Sequence, residues 1–340
     1  GVIVESGAGD GINFSDSAYE SVGATIAPSA KDVFDQSDII VKVKEPQEAE
    51  WKMLRPDHVL FTYLHLAADS KQARGLMDSG CAAIAYETVT DKHGRGLPLL
   101  EPMSEIAGRL SVQVGAYYLQ KHMGGLGRLI GGVPGVKPAD VLILGGGVSG
   151  FHAAQMATGL GANVTILEKS NSRMRYLDDY FHGRANIVYS NVDTLEKALV
   201  SADLVIGAVL IPGGSAPKLV RREHLKTMKK GAVMVDIAID QGGCFETSRA
   251  TTHNEPVYTE EGIVHYCVAN MPGAVPLTSA LALNHSVLPY LLDLVDNGWK
   301  NALKASPDFM SGLNIYDGKC TNEAVAGALD FAYIQPESLL

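Results

Sequence analysis

The sequence predicts an α/β protein of two doubly wound domains, the first discontinuous in the chain, and three observations predict it. Residues 140–168 read DVLILGGGVSGFHAAQMATGLGANVTILE: an apolar run, a glycine turn, a helical stretch and a second apolar run ending in an acid, which is one βαβ unit. On both sides of it short apolar runs alternate with amphipathic stretches, the rhythm of parallel strands covered by helices. Beyond residue 277 helical periodicity continues with no further strand rhythm, so these last helices are expected to pack back toward the first half. Residues 1–100 and 274–340 then form one domain and residues 101–273 the other.

Taken in order, the first half is expected to hold strands over 2–5, 39–44, 59–64 and 82–87, with helices over 15–22, 47–53 and 70–79. Gly7, Gly9 and Gly11 imitate a phosphate loop, but the polar residues after them offer no apolar helix face, so a surface turn is expected. A connecting helix over 103–123 leads into the glycine-dense stretch 124–138, either an interaction loop or a hinge. After the βαβ unit come helices over 172–181, 193–201 and 221–228, and strands over 186–190, 203–209, 232–239 and 264–268. Two further helices are expected over 277–283 and 287–300.

The glycines of the βαβ unit carry the first chemical reading. Gly145, Gly147 and Gly150 stand at G-x-G-x-x-G spacing between a strand and a helix, and Glu168 closes the second strand 18 residues after Gly150. In a Rossmann-like fold the first glycine allows the tight turn, the second lets the backbone approach a pyrophosphate, and the third lets the helix press on the sheet. The open helix N-terminus receives the negative charge. The domain is therefore expected to bind a dinucleotide.

Composition excludes other classes. The net charge of −10 opposes a nucleic-acid partner, which needs a basic face. Apolar runs such as 232–239 are interrupted by Asp236 and fall far short of the roughly 20 residues of a membrane helix, so no membrane partner is expected. Cys81, Cys244, Cys267 and Cys320 are scattered, with no C-x-x-C pair, and reduced thiols in the cytoplasm are expected.

Three sites at strand ends have residue types suited to catalysis. Lys42 and Lys44 lie two apart near the end of one strand, stopped by Pro46; Lys44 reads either as an anion ligand or as a solvated edge charge. His65 follows the next strand directly and is either a proton donor and acceptor or a satisfied core histidine. Asp236 and Asp240 end a buried strand before Gln241-Gly242-Gly243, where loop capping competes with a catalytic role, more strongly for Asp236.

Taken together, Lys42-Val43-Lys44-Glu45-Pro46, Tyr86-Glu87-Thr88, and residues 61–67, 102–109, 145–150, 235–243 and 268–272 resemble alanine dehydrogenase. The order and spacing of seven blocks agree over nearly the whole chain. The resemblance implies interconversion of L-alanine and pyruvate with NAD, ammonia released in the oxidative direction, and a homo-hexamer. It implies Lys44 as the ligand of the substrate carboxylate, His65 as acid and base, and Asp240 as an aid to the water or ammonia step. For NAD it implies Ser104, Gly145, Gly147, Val148, Ser149, Gly150, Glu168, Arg173, Ser190, Val209, Leu210, Ile237, Ala238, Ile239, Asp240, Arg249, Val268, Ala269, Asn270 and Met271.

Departures from the family pattern qualify this. The family usually has a strand and helix before the position of Gly1, with an arginine that joins the lysine at the carboxylate; without it low activity is expected. Glu168 stands where Asp is more usual; either acid holds ribose hydroxyls and repels a 2′-phosphate, although Lys169 and Arg173 stand nearby. Some members place a metal beside a Glu matching Glu87, but Asn297 occupies the other position, so no metal is expected. Two rival readings are the nucleotide-binding subunit of a transhydrogenase and a catalytically silent dinucleotide-binding module.

Overall fold

Buried parallel strands need apolar residues on both faces, and the segment Val141, Leu142, Ile143 and Leu144 supplies them. In the computed structural model, which describes residues 1–94, 96–209 and 216–340, it forms the strand Asp140–Leu144. The residues separate into two units, Gly1–Pro102 with Val275–Leu340, and Met103–Ala274.

In the second unit the sheet runs, edge to edge, Val257–Glu260, Ile263–Tyr266, Val233–Asp236, Leu204–Gly207, Asp140–Leu144, Asn163–Glu168 and Ala185–Tyr189. All are parallel except Val257–Glu260, which pairs antiparallel with Ile263–Tyr266. Numbered from Asp140–Leu144, the parallel strands stand in the Rossmann order 3-2-1-4-5-6. The chain reverses direction across the sheet beside Asp140–Leu144, the kind of switch point beyond whose carboxyl end open α/β sheets bind ligands. The helices Val148–Gly159, Asn171–Phe181 and Val192–Ser201 follow the expected positions closely. Residues 221–228 instead form only the short 3₁₀ turn Arg222–Lys226.

In the first unit the main sheet is mixed. Ile39–Val41, Val59–Thr62 and Ala82–Ala85 are parallel neighbours; Leu313–Tyr316 then adds antiparallel to Ala82–Ala85, and Lys319–Cys320 completes the edge. These C-terminal strands correct the expectation that only helices follow residue 277. They form a hairpin whose turn residues Asp317 and Gly318 both take positive φ, as a two-residue turn requires. Ile3–Glu5 pairs in parallel with an unexpected strand, Thr25–Ala27, joined through the helix Asp16–Ser21. The two helices expected near the C-terminus are one, Pro276–Asn297, running through Pro289; Trp299–Ala305 follows after Gly298 at φ +77. Among the described residues no helix is long and apolar enough to cross a membrane.

A buried histidine makes stability depend on pH. His265 accepts from the Thr247 hydroxyl at 2.8 Å through Nε2 and donates from Nδ1 to the Ile263 carbonyl at 3.0 Å, which suits the neutral ring. Burial lowers its pKa from the ordinary 6.5. The unfolded chain therefore takes up the proton first as the solution is acidified. The stabilisation is complete above about pH 6.5 and is lost as pH falls toward the lowered folded value. Thermal unfolding is expected to be nearly flat above pH 7 and to fall below about 6.5, with a shallower fall in His265→Gln.

Candidate active site

The glycine turn has the features that a pyrophosphate needs. Gly145 takes φ +93, and a Cβ there would lie 2.9 Å from the Ala208 carbonyl oxygen. A Cβ on Gly150 would lie 1.9 Å from the Gly145 carbonyl oxygen, so only glycine lets the helix sit this close. Gly147 is different: a Cβ there would meet nothing within 4 Å. The helix it caps, Val148–Gly159, has no side-chain cap, so its first-turn N–H groups are left for an anion.

Two charged residues hold this turn. The Glu168 carboxylate accepts from the N–H of Gly146 at 2.8 Å, Lys169 at 2.6 Å and Ser170 at 2.8 Å. Arg173 donates from Nε to the Gly146 carbonyl at 2.5 Å and from its terminal nitrogen to that of Gly147 at 3.3 Å. Its guanidinium lies over the rings of Phe151 and Tyr176.

Most of the expected cofactor residues follow the carboxyl ends of one sheet's parallel strands. Gly145 to Gly150 follow the first strand, Glu168 closes the second, and Ser190 follows the third, its N–H donating to the Glu168 carbonyl at 2.9 Å. Val209 follows the fourth and is half-buried; Leu210 lies outside the described residues. Ile237, Ala238, Ile239 and Asp240 follow the fifth in a 3₁₀ turn, and Val268, Ala269, Asn270 and Met271 follow the sixth. Ser104 is half-buried on the helix Glu101–Tyr118. Arg249 is exposed, its guanidinium 3.9 Å from the centre of the Tyr258 ring.

The two aspartates after the fifth strand have separate duties. Asp236 is fully buried and accepts from Ala238 N, Phe245 N and the hydroxyl of Ser248, at 3.1, 3.4 and 2.5 Å; burial pushes its pKa up. It ties the loop together from inside. Asp240 is exposed at the loop's tip and accepts from Asn270 N at 3.4 Å, which brings the candidate acid to the 268–271 turn.

In the first unit Lys44 and His65 stand at the ends of adjacent parallel strands. The first strand stops at Val41, so neither Lys42 nor Lys44 is a strand residue. Lys42 is taken up by Glu50, whereas Lys44 is exposed with Nζ 3.2 Å from Glu45 Oε2. The Thr62 hydroxyl donates to the carbonyls of Val43 and Lys44, at 3.2 and 3.1 Å, and so fixes Lys44 beside the strand that leads to His65.

His65 is exposed, not a core histidine, and takes the left-handed conformation, φ 50 and ψ 36. That geometry costs a non-glycine residue about 1–2 kcal/mol, and its neighbours offset the cost. The ring stacks on Tyr63 at 5.7 Å. The Glu87 carboxylate accepts from Leu64 N at 3.2 Å and His65 N at 2.6 Å. Tyr63, whose phenol donates to the Leu99 carbonyl at 2.6 Å, is kept un-ionised by burial. Sequence reasoning missed Glu87 as the support of His65; its place at the end of the next parallel strand was the available signal.

Two family models cover the chain: Alanine dehydrogenase/PNT, N-terminal domain, over residues 1–107, and Alanine dehydrogenase/PNT, C-terminal domain, over residues 111–323. The chain belongs to the alanine dehydrogenase/PNT family. Curated relatives named alanine dehydrogenase include one from Halomonas elongata, 53% identical over 339 residues, and one from Mycolicibacterium smegmatis, 50% identical over 339. Each alignment spans 100% of this chain and 91% of the relative. A solved L-alanine dehydrogenase superposes with TM-score 0.91 at 50% identity, over 97% of this chain and 90% of that one. A transhydrogenase from Sinorhizobium meliloti, TM-score 0.79 at 24% identity over 95% and 90%, shares the fold. Family and fold imply a pyridine nucleotide, and the glycine turn fits its pyrophosphate, since the space at Gly147 and the uncapped helix end are both present.

Proposed function

We propose that this chain catalyses the NAD-dependent oxidative deamination of L-alanine to pyruvate and ammonia, and the reverse reductive amination. The observation that carries the reading is the placement of Lys44 and His65 on neighbouring strand ends, in a chain 50% identical along its length to a solved L-alanine dehydrogenase. An amino-acid anion needs a fixed cation and a nearby proton carrier, and these two supply them.

In this reading the Lys44 ammonium binds the substrate carboxylate. NAD, held by the glycine turn and the residues named below, would supply the hydride acceptor for the α-carbon. Once the substrate ammonium has given up one proton and the α-carbon is oxidised to the iminium, His65 takes a proton from the water that attacks this carbon, giving a carbinolamine. It delivers that proton to the nitrogen, and takes the hydroxyl proton as the carbonyl forms and ammonia departs. Asp240 assists the water and ammonia steps from the loop that also holds Asn270. The cofactor set is that named above, including Ser104, Ser190, Val209, Leu210 and Arg249.

Two observations support NAD over NADP. Glu168 brings negative charge to the end of the second strand, where a 2′-phosphate would approach. Arg173, the nearby cation, is engaged with the Gly146 and Gly147 carbonyls and two aromatic faces. Exposed Leu277, Leu281, Leu288, Leu292 and Val295 on the helix Pro276–Asn297 support assembly into a homo-hexamer, and four buried free cysteines support a cytoplasmic location.

The deciding experiment compares NADH formation from L-alanine with hydride transfer between two nicotinamide nucleotides. Alanine-dependent NADH formation, with NADP a poor substitute, is the expected result; transfer between nucleotides without it overturns the reading. Light scattering on the same preparation is expected to give the mass of six chains.

A further inference from the structure

The loop that carries Asp240 is shaped by a lysine from a distant part of the chain. Residues 216–220 lie along residues 241–246 as a short parallel pairing: Ala216 N donates to the Gln241 carbonyl at 3.0 Å, Leu219 N to that of Cys244 at 2.8 Å, and Glu246 N to that of Val220 at 2.8 Å. From the middle of this segment the Lys218 ammonium donates to the carbonyls of Gly242, Gly243 and Phe245, the last two at 2.9 and 3.2 Å. Three acceptors satisfy all three donors of an ammonium.

The need for this cation follows from the loop's backbone. Gly242 and Gly243 take φ +89 and +78 in succession, and their carbonyls converge on one point with that of Phe245. Converging carbonyl dipoles repel one another unless a positive charge lies between them. On its inner side the loop is held by the Asp236 carboxylate, which a Cβ on Gly243 would approach to 2.5 Å. The loop is thus gripped from inside by an anion on its N–H groups and from outside by a cation on its carbonyls.

We propose that Lys218 is a positioning residue for the reaction: its ammonium fixes the 241–245 backbone so that Asp240 is presented to the substrate and to the Asn270 turn. This rests on the reading of Asp240 given above. Lys218 touches neither substrate nor cofactor in this role. Misplacement of a catalytic group by about 1 Å costs on the order of a hundredfold in rate.

The test uses Lys218→Cys, because the native cysteines Cys81, Cys244, Cys267 and Cys320 are all buried, whereas position 218 is exposed. In the full enzyme, kcat for L-alanine is expected to fall roughly tenfold to a hundredfold, with NADH affinity within about twofold of the parent. Alkylation of the introduced thiol with 2-bromoethylamine restores an ammonium at nearly the original reach and is expected to recover most of kcat. Methyl methanethiosulfonate, a neutral cap, is expected to recover none. Lys218→Arg and Lys218→Gln repeat the contrast without chemistry, the first retaining more than half of kcat and the second losing it. Full kcat in Lys218→Cys or Lys218→Gln, or equal recovery with the neutral cap, overturns the proposal. Asp240→Asn run alongside separates the two ideas: full kcat there overturns the reading of Asp240, whereas a depressed Asp240→Asn beside a fully active Lys218 variant overturns the clamp alone.

Discussion

His65→Ala is expected to lower kcat for L-alanine deamination by about 10²–10⁴-fold, the usual worth of a general acid–base group, while NADH binding stays within about twofold. The structure supports a clean experiment. The imidazole is exposed and its ring contact is the face of Tyr63, so its loss opens no cavity in the core. Alanine keeps the Cβ, so the left-handed backbone at φ 50 gains no new strain, and Glu87 still accepts both N–H groups of the turn. The expected NADH affinity follows from the second unit, where the glycine turn, Glu168 and Arg173 are joined by their own hydrogen bonds. Steady-state rates with a fluorescence titration of NADH check both halves. Unchanged turnover removes His65 from the mechanism, and lost NADH binding shows that the variant has disturbed more than a proton transfer.

Features set by local covalent geometry were legible in the sequence; those set by distant partners were not. The helix Ser70–Ser79 was readable to the residue, because Asp69 caps its start and Gly80 closes its end in the left-handed region. The G-x-G-x-x-G turn was readable because each glycine answers a steric demand. Strand ends were overextended at residues 64 and 239 because Tyr63, Leu64 and Ile239 are apolar for the burial of the loops they lie in, not because a ladder continues through them. At residue 44 the overextension followed the apolar Val43, which is exposed. The strand Thr25–Ala27 is too short to show alternation. The hairpin at 313–320 did leave a signal, Asp317-Gly318 between Leu313–Tyr316 and Lys319–Cys320, which helical periodicity upstream obscured. Lys42 and Lys44 looked alike; only the fold shows that Glu50 takes one and leaves the other exposed. The supports of the site, Glu87 under His65 and Lys218 under the Asp240 loop, are 22 or more residues from what they hold, and no spacing rule points to them.

The glycine turn yields the second large effect, and two substitutions there should separate fold from ligand. Gly150→Ala places a Cβ 1.9 Å from the Gly145 carbonyl oxygen and 3.3 Å from Ile143 Cγ2. Both obstacles belong to the central strand and its turn, and no flexible side-chain tip can yield, so the helix Val148–Gly159 must lift from the sheet. The cost is of the overpacking kind, about 1–3 kcal/mol or more, and the lifted helix takes its first-turn N–H groups away from the pyrophosphate position. A lowered unfolding temperature and at least a hundredfold weaker NADH binding are expected together, since each tenfold corresponds to about 1.4 kcal/mol. Gly147→Ala tests the other half of the argument. Its Cβ meets no protein atom within 4 Å, and its φ of −64 suits any residue, so the unfolding temperature should not move. NADH affinity should still fall by more than about tenfold, because the methyl group occupies the space into which a pyrophosphate must come. If Gly147→Ala binds NADH at the parent affinity, the pyrophosphate lies elsewhere, and the turn is a packing device alone.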